Sequence, residues 1–442
     1  MLLLIFAPMR TLIATESDVQ LPLDIGLLLT IGFIGWWVIA RIVTEHKLTN
    51  LKWSKIHFCV LLFVIASGFT IFPASSLSAW LNEWLKWVLI LLLSLIIYNY
   101  VKQCQWEWLV YGLTLAGVAN AIVGIYIFFG GSGALHLLIN NRFYRAFGTF
   151  GQPNPFGGFL GLLFPIAGMM SIGYLFITWG KWRRTKSLHL PSLFTMLFFG
   201  ASAGLLALGV IMSWSRGAWL SLGVSTLIVA ILLPKRWWQS MAIAGSIIGI
   251  VGLLWFSGKF PASIRDRINS STEELFTFND VRAVDITSDN YAVVERLAHW
   301  QAALDMARYN PWLGVGIGNY EVVYDDYRLI NWDEPLGHAH NYYLNVLAET
   351  GIIGAFCYIF MWLALIWHTL KLRSHPDLIA RSVGIGIVGT WTYLAIHSLT
   401  DNLYVNNIFL HMGIIIGLLS ILQNQIRSTN VTRKLWHNHK QN

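Results

Sequence analysis

The sequence predicts an all-α polytopic membrane protein, with about 12 transmembrane helices and a large helical loop on the extracytoplasmic side. Three observations carry that expectation. First, 56% of the 442 residues are hydrophobic and only 12% are charged, where a soluble domain carries about 25% charged residues. Second, apolar runs of roughly 17 to 25 residues recur along the chain, each enough to cross a hydrocarbon core of about 30 Å. Third, the loops between these runs alternate between basic and nearly cation-free, which is the signature of membrane orientation.

Taken in order, spans are expected at 1–14, 25–43, 57–74, 84–100, 108–130, 155–178, 191–213, 216–233, 240–257, 351–370, 381–400 and 404–424. The first is short, which puts the completeness of that helix in question. The organisation expected is a bundle over 1–257, an extracytoplasmic helical cap over 258–350, three further spans over 351–424 and a basic cytoplasmic tail over 425–442. Within the cap segment, Val293, Val294, Leu297, Leu304 and Met306 recur at near-helical spacing and Pro311 follows. That pattern predicts a helix over about 290–309. The run Gly314-Val-Gly316-Ile-Gly318 resembles a dinucleotide fingerprint only superficially, because no strand precedes it and no clean helix pattern opens after it. The absence of an internal repeat speaks against a transporter built from duplicated halves.

One set of loops holds Arg41, Lys47, Lys52, Lys55, Lys102, Lys181, Arg183, Arg184, Lys186, Lys235, Arg236, Lys371 and Arg373. The positive-inside rule places that set, and both termini, in the cytoplasm. The expected location is therefore the cytoplasmic (inner) membrane, multi-pass, with the lipid bilayer as a constant partner and the active face extracytoplasmic. A pI of 9.3 and net charge of +8 do not indicate nucleic acid, since the cations are spread through short loops rather than gathered into a footprint. Cys59, Cys104 and Cys357 match no disulfide framework or metal spacing and read as packing residues.

Cations on the opposite side need a reason. Arg142, Arg145 and Arg216 sit there within or against apolar sequence, and arginine is suited to forked recognition of phosphate oxygens. Arg216 lies in the tight hairpin Ser213-Trp214-Ser215-Arg216-Gly217; snorkelling to lipid headgroups is its alternative. Solvation in a loop is the alternative for Arg142 and Arg145. Arg145 opens a stretch in which Gly148, Gly151, Pro153 and Pro155 enforce a defined turn. Gly337-His338-Ala339-His340-Asn341 places two imidazoles at the start of a span, where a neutral ring can accept a proton from an attacking hydroxyl. A cation held with Asp325, Asp326, Asp333 or Glu334, and simple helix capping, are the competing readings; no metal and no cofactor are expected. Arg296 and Trp300, four apart on one helix face, suit a phosphate and a stacked sugar ring, with core and surface packing the equal alternative. Trp312 and Trp332 are further candidate glycan contacts, and Asp401 and Asn402 stand at the matching end of a span, where capping explains them equally well.

His340-Asn341, nine residues, then Gly351-Ile352-Ile353-Gly354 resembles the His-Asn/Ser/Gln motif of bacterial O-antigen ligases. Arg145 to Asn154, Ser215-Arg216-Gly217 and Arg296 to Tyr320 resemble the wider superfamily of O-antigen ligases, O-antigen polymerases and protein O-oligosaccharyltransferases. The resemblance covers nearly the whole chain, and its motifs do not separate ligase from polymerase. It implies a C-type glycosyltransferase-like membrane enzyme carrying out inverting, metal-independent transfer. The donor would be an undecaprenyl-diphosphate-linked glycan and the acceptor a hydroxyl of a glycan, lipid or protein. In that reading His340 and Arg216 are catalytic. Arg145, Arg142, Arg296, His338, Asn341 and Trp300 bind substrate. A polysaccharide or lipid transporter is the alternative of a different class.

Overall fold

The computed structural model describes residues 30, 32–40, 51–102, 104–131, 134–139, 141–234, 236–258, 281–282, 284–286 and 290–441. The span expected at 1–14 lies outside the described residues, and that at 25–43 is described only in part, as a helical stretch over 32–40. Each later span expected from the sequence meets a helix. In chain order these are α1 (Lys55–Gly68), α2 (Leu77–Tyr100), α3 (Glu107–Tyr126), α4 (Pro153–Thr185), α5 (Leu190–Met212), α6 (Arg216–Leu232) and α7 (Trp237–Phe256). Beyond the cap come α10 (Tyr342–Leu370), α11 (Leu378–His397) and α12 (Ile408–Gln441), while the cap itself carries α8 (Tyr291–Tyr309) and the single turn α9 (Tyr324–Tyr327). Among the described residues, eight helices are long and apolar enough to cross a membrane, and Lys55–Ile71 and Arg216–Leu232 are shorter apolar helices. Strand is confined there to the two-residue pair β1 (Leu138–Ile139) and β2 (Phe143–Tyr144), antiparallel to each other. The protein is an all-α polytopic membrane protein.

The bundle closes around α4, which packs against α5, α6 and α11. Glycines on α4 allow that approach: Tyr393 of α11 lies over Gly161, and its hydroxyl donates to the Gly157 carbonyl at 2.9 Å. Phe156, Phe159, Leu160, Leu206, Tyr393, Leu403 and Tyr404 belong to one continuous buried core. In a bilayer such close contact supplies the packing energy that hydrophobic transfer no longer provides. Lys52 N–H donates to Asn99 Oδ1 at 2.8 Å and Arg373 donates to the Pro234 carbonyl. Loops assigned to the cytoplasm by charge thus meet in pairs.

The helix expected over 290–309 is α8, capped at Asn310 just before Pro311. Among its described residues the cap has two small cores. One joins Val281, Val294, Leu297, Trp300 and Trp332; the other joins Ala303, Met306, Val315, Tyr320 and Tyr324 with Ala339 and Ala348 at the start of α10.

The glycine run after Pro311 has a structural task. Helix α10 is broken at Gly351 (φ 60°, ψ −168°), and the 311–316 backbone supplies the pairing that the break removes. Val315 N–H donates to the Ala348 carbonyl at 3.0 Å, Gly316 N–H to Glu349 O at 2.9 Å and Ile352 N–H to Pro311 O at 2.8 Å. A Cβ on Gly314 (φ +66°) would stand 2.4 Å from the Ala348 carbonyl oxygen, so backbone lies directly on backbone there. Broken helices at membrane depth persist when protein groups re-satisfy the freed backbone. The span expected to begin at 351 therefore begins at Tyr342, with the break where the apolar run starts.

Candidate functional site

The site is assembled from four stretches that are remote in sequence. Helix α5 ends at Met212, and Trp214 takes a left-handed conformation (φ 54°). Ser215 then caps α6 by accepting from Ala218 N–H at 3.4 Å. Arg216 is the first residue of that helix, where the partial positive charge of the helix end adds to its own.

The 134–152 connection lies against this hairpin. Ala146 N–H donates to the Met212 carbonyl at 2.9 Å, and Arg145 Nε donates to the Ser213 carbonyl at 3.2 Å. Arg145 Nη2 also donates to Asn154 Oδ1 at 3.4 Å, near the start of α4. Arg145 is thereby fixed beside Arg216, and α8 brings Arg296 to the same place: Arg145, Asn154, Ser215, Arg216, Gly217, Arg296, His397, Thr400 and Asp401 line one cavity of about 260 Å³. Burial first, then the charges of Arg296 and Arg216, lower the Arg145 guanidinium to about 10. Three like charges held close and partly desolvated form a site that gains by taking up an anion.

The same cavity also holds an anion. Asp401 is 6% exposed and sits one turn beyond His397, its N–H bonded to the His397 carbonyl at 3.0 Å. His338 Nε2 is 2.9 Å from Asp401 Oδ1. His340 Nδ1 is 4.0 Å from the same oxygen, and that nitrogen finds no hydrogen-bond partner among the described residues. The two imidazole centroids are 4.5 Å apart. Tyr342 N–H donates to the Ser398 carbonyl at 2.8 Å and ties the histidine turn to the Asp401 turn. Burial works to raise the Asp401 carboxyl, but the hydrogen bond and charge of His338, with smaller contributions from His340 and His397, outweigh it and hold the group well below the usual carboxylate range. Burial, then the charge of His338, lower His340 to about 3 against the pull of Asp401, with Arg296 and His299 acting in the same direction as His338. His340 is therefore a neutral base beside a permanent anion at neutral pH.

The expected site residues divide into two groups. Arg145, Arg216 and Arg296 come together in the cavity, with His338 and His340 reaching it through Asp401. Arg142 does not join them: it is exposed, its guanidinium 5.0 Å from the Phe143 ring centroid. Asn341 acts as the N-cap of α10, its Oδ1 accepting from Tyr343 and Leu344 N–H at 3.1 and 3.2 Å, as an asparagine at that position favours. Trp300 is 6% exposed and belongs to the cap core, so its ring has no open face for a sugar. Trp332 is likewise 6% exposed, against Tyr291, whereas Trp312 is 67% exposed.

The acidic partners considered for a cation also change. Asp325 and Asp333 are exposed and pair with Arg328, while the donor atoms of His338, His340 and Asp401 all lie within 4.8 Å of one another. Two imidazoles and a carboxylate could ligate a divalent transition ion, though the nearby arginines oppose added positive charge. His299 was not anticipated. It is 1% exposed, its ring is stacked on Tyr324 and stands 5.9 Å from His340, and its Nδ1 is 3.0 Å from the Tyr320 hydroxyl. Burial, then His338, lower it to about 4. His397 and Thr400 were missed as well; the spacing of four between His397 and Asp401 was the available signal.

Residues 201–359 match the family model described as O-antigen ligase, so the resemblance to that superfamily is borne out over this stretch. It contains Arg216, Arg296, His338 and His340. No curated protein matches the chain.

Proposed function

We propose, from this kinship with the O-antigen ligases, that the protein transfers a glycan from an undecaprenyl-diphosphate carrier to an acceptor hydroxyl. The reaction would take place at the extracytoplasmic face of the cytoplasmic membrane. One observation carries the reading: a single cavity is lined by three arginines and by a carboxylate hydrogen-bonded to histidine. A diphosphate needs the arginines and an attacking hydroxyl needs the histidine–carboxylate pair.

In the proposed reaction Arg216, with Arg145 and Arg296, binds the diphosphate oxygens. The acceptor oxygen attacks the anomeric carbon from the face opposite the carrier, and the bond from that carbon to the phosphate oxygen breaks. The electron pair leaves with the diphosphate, whose growing charge the guanidinium groups stabilise; such preorganised donors act most strongly in the transition state. The hydroxyl proton passes to the His340 imidazole, and Asp401 stabilises the imidazolium that forms. Displacement in one step inverts the anomeric centre. Because a diphosphate is already a good leaving group, the histidine pair serves as much to orient the acceptor as to deprotonate it.

The test is transfer by purified protein from an undecaprenyl-diphosphate glycan, wild type beside His340→Ala and Arg216→Ala, with and without chelator. Transfer that survives chelator and collapses in both variants supports the reading. Binding of donor without transfer to any offered acceptor would favour a polymerase that extends the glycan on its own carrier, or a transporter.

A further inference from the structure

The histidine turn is an unusual piece of backbone. Leu336, Gly337 and His340 all have positive φ (50°, 76° and 51°), and a residue with a side chain is disfavoured in the left-handed region. Such a conformation persists only where its surroundings hold it. On one side the hold is the bond from Tyr342 N–H to the Ser398 carbonyl. On the other it is a buried side chain: the N–H of Ala339, between the two histidines, donates to Asn345 Oδ1 at 3.1 Å.

Asn345 is itself held. Its side chain is hydrogen-bonded to the carboxyl group of Glu349, one helical turn further along α10 and on the same face. Glu349 Oε1 accepts from Tyr320 N–H at 3.2 Å, and the same carboxyl group also accepts from Gly318 N–H. Asn345 is 4% exposed and Glu349 5%. Both lie on the short half of α10 between its N-cap and the break at Gly351. That half-helix therefore connects the glycine-rich 314–320 backbone to the histidine turn through two polar side chains.

We infer that Asn345 and Glu349 are positioning residues. They fix the Ala339 amide, and through it they set His338 and His340 against Asp401. Asparagine suits this place because one amide supplies both the acceptor for Ala339 and the donor for Glu349. Without Asn345 the Ala339 N–H is buried and unpaired, which favours rotation of the turn away from Asp401. The catalytic part of this inference rests on the transferase reading; the geometric part does not.

Two measurements separate them. Modification of individual histidines by diethyl pyrocarbonate, read by mass spectrometry, reports the turn without any substrate, with His57 (fully buried and bonded to Ser54 Oγ at 3.0 Å) as an internal reference. In Asn345→Ala we expect His338 and His340 to react at least threefold faster with His57 unchanged, and kcat for transfer to fall at least tenfold with the donor KM within twofold. Asn345→Asp, which keeps the acceptor oxygen for Ala339 but loses the donor to Glu349, should fall between wild type and Asn345→Ala in both readouts. Unchanged reactivity of His338 and His340 overturns the inference, as does equal acceleration at His57, or a loss of kcat matched by a loss of donor affinity. If the wild type transfers no glycan while the histidine arm behaves as expected, the ladder stands and the transferase reading falls; the reverse pattern removes the ladder alone.

Discussion

His338 Nε2 lies 2.9 Å from Oδ1 of Asp401, across 63 residues of sequence, and this pair joins the cap to the turn between α11 and α12. The carboxylate is buried and acceptor-only, so it fixes the proton on Nε2 of His338 and leaves His340 as the free base. Replacing it should uncouple the histidine turn from the cavity. Asp401→Asn is expected to lower kcat by roughly 10²-fold or more, the range of a lost acid–base group, while donor affinity is retained. Initial-rate kinetics paired with donor binding will show it, and a variant with wild-type kcat would remove Asp401 from the mechanism.

Arg216 and Lys carry the same charge but not the same geometry. Arg216→Lys loses the planar fork that can hold two phosphate oxygens, and one stabilising donor at a developing anion is worth roughly 10² to 10³ in rate. We expect a loss of about that size in kcat/KM for the diphosphate donor. Full activity in the lysine variant would show that charge alone suffices.

The buried histidines make stability depend on pH in a defined direction. His340 and His299 are lowered to about 3 and 4 in the folded protein, whereas an unfolded chain binds the proton near 6.5. Between those values the unfolded state holds more protons, so stability falls as pH drops below about 6.5, by up to about 1.4 kcal/mol per pH unit for each histidine. Asp401, held low when folded, contributes stability that is present above its unfolded value and lost in stronger acid. Thermal melts of the purified protein from pH 7 to pH 4 should show a declining midpoint. The decline should be shallower in His340→Ala; identical slopes would contradict the assigned burial.

Gly314 and Gly351 meet where the cap lies on α10. Gly314→Ala places a Cβ 2.4 Å from the Ala348 carbonyl oxygen, and Gly351→Ala places one 2.4 Å from the backbone of Trp312, each at positive φ. Backbone on both sides leaves nothing flexible to yield, so both variants should show a lower melting temperature and poor yield of folded protein, beyond the roughly 1 to 2 kcal/mol of conformational strain. Normal yield and melting in Gly314→Ala would mean that the 311–316 segment is not clamped as described.

Much of this protein was legible in sequence because the relevant physics is local. A span depends on the hydropathy of consecutive residues, so the runs from 57–74 onward each met a helix. Arg145 and Arg216 were conspicuous because a cation beside apolar sequence is costly wherever the chain goes next. The Pro311 boundary and the helix before it followed from spacing alone. Local physics also misled: Trp300 shares a helix face with Arg296 in a simple wheel, yet a core that includes Trp332, 32 positions later, takes it inward.

What only the tertiary structure decided is which of these groups meet. Arg145 reaches the Ser213 carbonyl across 68 residues, and Asp401 becomes the partner of His338 because Tyr342 N–H is bonded to the Ser398 carbonyl. The glycine run reads as a weak nucleotide motif until the break at Gly351 shows what it packs against. The sequence determined the spans and the unusual cations, since both follow from the free energy of each segment in its own solvent. Pairing between distant groups depends on how helices pack, and packing is a property of many segments at once.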